Sequence, residues 1–137
     1  MRWRRSPVVS RRWNSIGRRV VYRAGSQSLA AHEILAHAGA LGENYIVIAI
    51  TIPEGVYVEE IELQWLPEWE IGTTRSIGDE WLTRGRSAVL KVPSKVIAVE
   101  YNYVINPEHE DFARLTMSDP EPFRFDQRLL ERFIGLR

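Results

Sequence analysis

The sequence of 137 residues contains no cysteine, which excludes disulfide bonds and metal sites built from thiolates. It also lacks any apolar run that approaches the roughly 20 residues needed by a membrane-spanning helix. The first ten residues are basic, but no apolar segment follows them, so a signal peptide is not predicted. We therefore expect a cytosolic protein that does not associate with membranes.

An excess of charge of either sign is also missing. The chain has 18 basic and 18 acidic residues, so it has no overall field that would attract nucleic acid, and no direct nucleic-acid partner is predicted. The basic residues are nevertheless unevenly placed, because seven arginines fall within residues 2–19 and no acidic residue precedes Glu33. This segment is compatible with a phosphate-binding edge and equally with a solvated arm.

Several familiar catalytic motifs are absent. There is no phosphate-binding loop and no Gly-x-Gly-x-x-Gly fingerprint, which argues against the common nucleotide-binding folds. No Gly-x-Ser-x-Gly elbow occurs, so a serine hydrolase is not indicated. The three histidines, His32, His37 and His109, do not have the spacing of metal ligands. We expect no bound metal.

The residues that are present describe an ordinary globular domain, with 45% hydrophobic and 26% charged residues. No repeat or linker divides the chain. A β-branched run over residues 44–53 predicts a buried strand, and alternation over residues 56–63 predicts a half-exposed one. Alanine-rich residues 29–40 and residues 76–83 predict helices. Further strands are predicted over residues 18–24, 88–92, 96–103 and 123–126. Because strands dominate, we expect a single α+β domain with few helices and a bent, mixed or antiparallel sheet.

The helix predicted over residues 29–40 carries a carboxylate in an unexpected place. At about 100° per residue, Glu33 and His37 fall in the middle of an arc of alanine, leucine and isoleucine side chains. A carboxylate on an apolar arc is costly unless it is paired or used. Glu33 is therefore either a structural partner of a buried arginine or a functional acid, and periodicity does not choose between them.

Three further segments allow both functional and structural interpretations. Arg12-Trp13-Asn14 combines a cation, an aromatic ring and an amide, which suits a bound nucleotide and equally a loop packed by its tryptophan. Ser94 ends a strand with a hydroxyl group, a position at which serine commonly forms a turn. The stretch from Asn102 to His109 contains two amides, which commonly hydrogen-bond loops together.

Taken together and in order, these motifs resemble the RES domain family. The first half of the pattern consists of Arg12-Trp13-Asn14 with Gly17, Val21-Tyr22 and Leu29-Ala30-x-x-Glu33-x-x-x-His37. The second half consists of Val89-Leu90-x-Val92-Pro93-Ser94, Asn102-Tyr103-x-Ile105-Asn106-Pro107-x-His109-x-x-Phe112 and Phe125-Asp126-x-Arg128-Leu129. Each motif is weak alone, but their joint order over residues 12–129 is specific.

The resemblance implies an ADP-ribosyltransferase-like fold and a definite chemistry. RES proteins are bacterial toxins of type II toxin–antitoxin pairs, usually encoded beside an Xre-like antitoxin. They deplete NAD by cleaving its nicotinamide–ribose bond, with water or inorganic phosphate as the acceptor. For this chain the resemblance implies NAD as a substrate rather than a cofactor, and an Xre-like protein as a partner. The resemblance is also compatible with a homo-oligomer.

The resemblance also implies which residues act. The family's arginine, glutamate and serine correspond to Arg12, Glu33 and Ser94, and Tyr22 matches its active-site tyrosine. Glu33 would stabilise the positive charge that develops on the ribose, Arg12 would clamp a phosphate, Tyr22 would stack on nicotinamide, and Ser94 would donate a hydrogen bond. The residues expected to line the substrate site beside them are Trp13, Asn14, His37 and Asn106.

The beginning of the chain departs from the family pattern. Family members usually carry a longer segment before the Arg-Trp-Asn loop, including a first strand, so we expect an N-terminally shortened member. We divide it into a basic segment, residues 1–11, and a RES domain, residues 12–137. A degenerate fold that only binds a protein partner and an ADP-ribosyltransferase that modifies a macromolecule remain alternatives.

Overall fold

The main sheet of the computed structural model contains four strands. The structure describes residues 12–15, 17–37, 45–62, 71–97, 99–126 and 128. In spatial order the sheet consists of β1 (Val21–Ala24), β6 (Tyr101–Ile105), β5 (Val89–Pro93) and β4 (Val58–Glu60). β6 is antiparallel to both of its neighbours, whereas β4 and β5 are parallel. The expectation of a mixed sheet in an α+β domain is confirmed.

Within the described ranges, the sheet is accompanied by two α-helices, α1 (Gln27–His37) and α2 (Ile71–Arg84), and a 3₁₀ helix spans Glu110–Arg114. The predicted first helix is confirmed as far as residue 37, and the segment beyond it lies outside the described residues. α1 begins after Ser26, whose Oγ accepts a hydrogen bond from the Leu29 backbone N–H at 3.1 Å. Among the described residues, no helix is long and apolar enough to cross a membrane.

The buried strand predicted over residues 44–53 is wrong in its continuity and its burial. The run forms two short strands, β2 (Tyr45–Val47) and β3 (Ile50–Thr51), which pair with β8 (Glu121–Phe123) and β7 (Thr116–Met117). Ile46 is 65% exposed. A β-branched run favours extended backbone, but it does not specify which strand will pair with it or which face will be covered.

The register of the main sheet separates its side chains onto two faces. Tyr22 is opposite Val104, which is opposite Leu90, so these three side chains share one face. Here Leu90 and Val104 join Trp13 and Trp81 in a buried cluster. A second cluster, which includes Val21, Val89 and Ile105, covers the other face. We call the first of these the tryptophan face, and it carries the candidate site.

Aromatic packing and an ion pair mark the end of the described chain. Phe125 is buried and packs edge-on against Tyr45 and Phe123, with ring centroids 5.5 and 5.2 Å apart. Arg128 donates to both carboxylate oxygens of Asp126, at 3.0 and 3.1 Å. This hydrogen bonding lowers the pKa of the exposed Asp126 carboxyl and raises the pKa of Arg128.

Candidate functional site

Three residues distant in sequence meet around the carboxylate of Glu33. Glu33 lies in the middle of α1, Ser94 follows β5, and Asn102 lies in β6. Ser94 Oγ donates to Glu33 Oε1 at 3.1 Å, and Asn102 Nδ2 donates to the same oxygen at 2.8 Å. We call Glu33, Ser94 and Asn102 the acid cluster. Ser94 and Asn102 are neutral donors, so these two hydrogen bonds orient the carboxylate without themselves neutralising it.

Ser94 owes its position to the turn that leads from β5 towards β6. Its Oγ accepts hydrogen bonds from the backbone N–H groups of Val96 and Ile97, at 3.1 and 3.2 Å. Its own N–H donates to the Glu100 carbonyl at 2.9 Å, and the residue is only 4% exposed. Ser94 is therefore a turn former and a partner of Glu33 at once, so the two interpretations of this serine are compatible.

Asn102 was not among the predicted site residues, although its motif was noted. In the register of the sheet, Asn102 pairs with Val92, two residues before Ser94, and therefore shares a face with it. Only the pairing of β5 with β6 brings these positions together. The sequence contains the alternation within each strand but not the alignment between strands, so the amide motif did not indicate that Asn102 lies beside Glu33.

Tyr22 lies on the tryptophan face next to the acid cluster. It pairs with Val104, so it is a diagonal neighbour of Asn102, at a typical separation of about 7–8 Å. The Tyr22 hydroxyl donates to Asn14 Oδ1 at 2.5 Å and accepts from the Trp13 N–H at 3.2 Å. Tyr22 thus connects the sheet to the Arg12-Trp13-Asn14 segment. The adjacent Arg23 is half-buried, and burial lowers its pKa.

The segment from Arg12 to Ser15, here called the arginine loop, rests on α2. Thr74 Oγ1 donates to the Arg12 carbonyl at 2.5 Å. Asp79 accepts hydrogen bonds from the Ser15 backbone N–H at 3.0 Å and from the Ser15 hydroxyl. Between these two contacts lies Gly78, at which a Cβ would overlap the Trp13 carbonyl oxygen.

The arginine loop combines packing with charge. Trp13 and Asn14 are each 3% exposed. The tryptophan therefore anchors the loop in the buried cluster, as expected for a loop packed by its tryptophan. Asn14 Nδ2 also donates to the Arg18 carbonyl at 3.0 Å, which closes the loop on itself. Arg12 is half-buried, and its Nη1 atom is fully buried. A guanidinium in such a place is suited to an anionic partner.

The structure brings some of the predicted site residues together and places Asn106 apart from them. Glu33 and Ser94 are in contact, and Tyr22 joins Trp13 and Asn14 on the same face. Asn106 lies four residues beyond Asn102 along the chain, about 13 Å away at strand spacing, at the opposite end of β6. There its Oδ1 accepts from the Glu108 N–H at 3.0 Å.

The remaining member, His37, is the last residue of α1, and its side chain lies outside the described part of the chain. The catalytic and substrate-binding assignments stay predictions. Chemically, the arrangement offers a fixed carboxylate and a tyrosine ring on one face of the sheet, and a half-buried guanidinium in the loop that packs against that face. Such a set suits a substrate that carries phosphate and develops positive charge at a carbon.

Comparisons with known proteins point to one family. The family model for the RES domain matches residues 4–126. A protein named Toxin Res from Photorhabdus laumondii is 34% identical over 128 residues, which cover 88% of this chain and 81% of that protein. Toxin Res from Yersinia enterocolitica is 35% identical, with 86% and 82% covered.

A third relative carries a different name. The protein named Prs ADP-ribosylating toxin, from a Sphingobium species, is 28% identical over 134 residues, which cover 91% of this chain and 83% of that protein. The family match spans most of the chain, and relatives above 30% identity cover more than four-fifths of it. The chain belongs to the RES domain family, whose fold is ADP-ribosyltransferase-like.

Proposed function

We propose that this protein is a toxin that consumes NAD by breaking the bond between nicotinamide and ribose. The observation that carries the proposal is the acid cluster, in which Ser94 and Asn102 fix the Glu33 carboxylate at 3.1 and 2.8 Å. Relatives named Toxin Res give the proposal its biological class. The partner expected for such a toxin is an Xre-like antitoxin that blocks NAD loss when it is bound.

In the proposed reaction, the C–N bond to nicotinamide breaks and its electron pair leaves with the nicotinamide nitrogen. The ribose carbon then carries positive charge, which the fixed Glu33 carboxylate stabilises. Water or inorganic phosphate donates an electron pair to that carbon, and the attacking water loses a proton. The products are nicotinamide and ADP-ribose, or nicotinamide and ADP-ribose 1″-phosphate. Arg12 would hold the pyrophosphate of NAD with its planar fork, and Tyr22 would stack against nicotinamide.

The test is NAD consumption by the purified protein and its Glu33→Gln variant. We expect the variant to lose about 10²–10³-fold in rate, because glutamine keeps the shape of the side chain but not its charge. Glu54→Gln is the matched control, since Glu54 is exposed in the turn between β3 and β4 and is not a member of the acid cluster. Unfolding by urea verifies that both variants remain folded. Undiminished NAD consumption by Glu33→Gln would contradict the proposed role.

A second candidate, transfer of ADP-ribose to a macromolecule, is favoured by the relative named Prs ADP-ribosylating toxin. Both reactions break the same bond and differ only in the acceptor. Incubation with NAD labelled in its adenosine half separates them. Label in free ADP-ribose or its 1″-phosphate indicates NAD depletion, whereas label on protein indicates transfer. Absence of turnover would contradict both and favour a binding module.

A further inference from the structure

A polar cavity lies away from the acid cluster, at the opposite end of the main sheet. It has a volume of about 340 Å³ and is lined by Gly17, Arg18, Arg19, Leu82, Asn106 and Glu108. This volume falls within the range of about 300–1,000 Å³ that is typical of small-molecule sites. Asn102 and Asn106 mark the two ends of β6, so the cavity and the acid cluster lie about 13 Å apart.

The wall of the cavity contains the side-chain amide of Asn106, which has one donor group that binds no described residue. Asn106 is 8% exposed, and its Oδ1 accepts from the Glu108 N–H at 3.0 Å. That bond fixes the orientation of the amide. The other arm, Nδ2, makes no hydrogen bond to any residue in the described ranges. Nδ2 is not itself fully buried, so a ligand acceptor or water in the cavity can reach it.

Two arginines border the same cavity. Arg18 is oriented by α2, because its Nη2 donates to Thr83 Oγ1 at 3.1 Å and to the Asp79 carbonyl at 3.4 Å. Within the part of the chain that the structure describes, its Nε and Nη1 groups form no hydrogen bond, so they remain available to a ligand. Arg19 is exposed. Gly17 precedes both with φ of +89°, a backbone conformation that other residues rarely adopt.

From these residues we infer a second ligand site, separate from the acid cluster, that binds a small phosphate ester carrying hydroxyl groups. The two guanidinium groups and the Asn106 amide supply donors for phosphate oxygens. Glu108 supplies an acceptor for a hydroxyl group and leaves the lining with one net positive charge. The site goes beyond the proposed NAD chemistry, because none of its lining residues belongs to the acid cluster.

The test is a titration of the full chain with ribose 5-phosphate, followed by ¹H–¹⁵N NMR. The Gly17 backbone amide reports on the cavity, and the Asn102 side-chain amide reports on the acid cluster. We expect the Gly17 signal to shift at concentrations that leave the Asn102 signal in place. No shift at Gly17, or a shift at Asn102 alone, would overturn the inference.

Variants then locate the binding. Arg19→Gln and Asn106→Asp should each weaken the dissociation constant measured at Gly17 by about tenfold, because each removes a donor to a charged ligand. Asn106→Asp retains the oxygen that accepts from Glu108, and Arg19 forms no hydrogen bond within the described ranges, so folding should persist. Arg124→Gln removes an exposed arginine elsewhere and should leave the affinity unchanged. Equal affinity in all three variants would refute the site.

Discussion

The acid cluster and the arginine loop lie on the same face of the main sheet, but they are held there in different ways. The acid cluster is fixed by regular structure, since Glu33 lies in α1, Asn102 in β6 and Ser94 directly after β5. The arginine loop has no strand or helix of its own in the described residues. It is held by Thr74, Gly78 and Asp79 along one side of α2, and by Tyr22 from the sheet.

Because of this difference, we expect the two halves of the candidate site to respond differently to mutation. The acid cluster depends on the backbone ladders of the sheet, which single side-chain changes do not remove. The arginine loop depends on a few contacts between its backbone and α2. Two of them are made by the side chains of Thr74 and Asp79, and the third is possible only because Gly78 has no side chain. We therefore expect the loop to be displaced while the acid cluster stays in place, and three substitutions test this.

The largest effect is expected from Gly78→Ala. The new Cβ would overlap the Trp13 carbonyl oxygen, so the arginine loop must move away from α2. We expect the free energy of unfolding to fall by about 1–3 kcal/mol, as for an overpacked interior. Urea unfolding measures this loss, and Thr73→Ala on the exposed side of the same helix is the control. The Asn102 side-chain NMR signal should keep its position, and a large shift there would contradict the independence of the two halves.

A smaller effect is expected from Tyr22→Phe. The variant keeps the aromatic ring but loses the hydroxyl that bonds Asn14 Oδ1 and the Trp13 N–H, at 2.5 and 3.2 Å. We expect a loss of about 1–2 kcal/mol in the free energy of unfolding. Tyr57→Phe alters a tyrosine that is 59% exposed, and it should change stability little. Equal stabilities of the two variants would show that the hydroxyl does not hold the loop.

The smallest effect is expected at the acid cluster itself. Ser26→Ala removes the side-chain cap of α1, which bonds the Leu29 N–H at 3.1 Å. Loss of such a cap typically costs about 1 kcal/mol. Ser28→Ala, on the exposed surface of the same helix, is the control. Because Glu33 lies two turns further along α1, its contacts should survive. Loss of NAD consumption in Ser26→Ala would contradict the expectation that the strands and α1 hold the acid cluster in place when the helix cap is removed.

Local pattern predicted much of the fold. The mixed α+β class, the presence of α1 and the strand that ends at Ser94 follow from residue type and periodicity. The split of residues 44–53 into β2 and β3 could not be predicted in this way, because each half pairs with a different distant strand. The sequence pattern also predicted that α2 begins at residue 76, whereas the helix begins at Ile71.

For the site, the sequence by itself determined which residue types are available: a glutamate on an apolar helical arc, an arginine beside a tryptophan, and a serine at the end of a strand. Tertiary structure decided their grouping. The sheet places Asn102 beside the Glu33 carboxylate, whereas Asn106 follows the other end of β6 and lines the polar cavity. The physical reason is that helical and strand periods are local properties, whereas strand register and helix docking depend on contacts between different elements, such as the bond between Ser94 and Glu33, which are 61 positions apart.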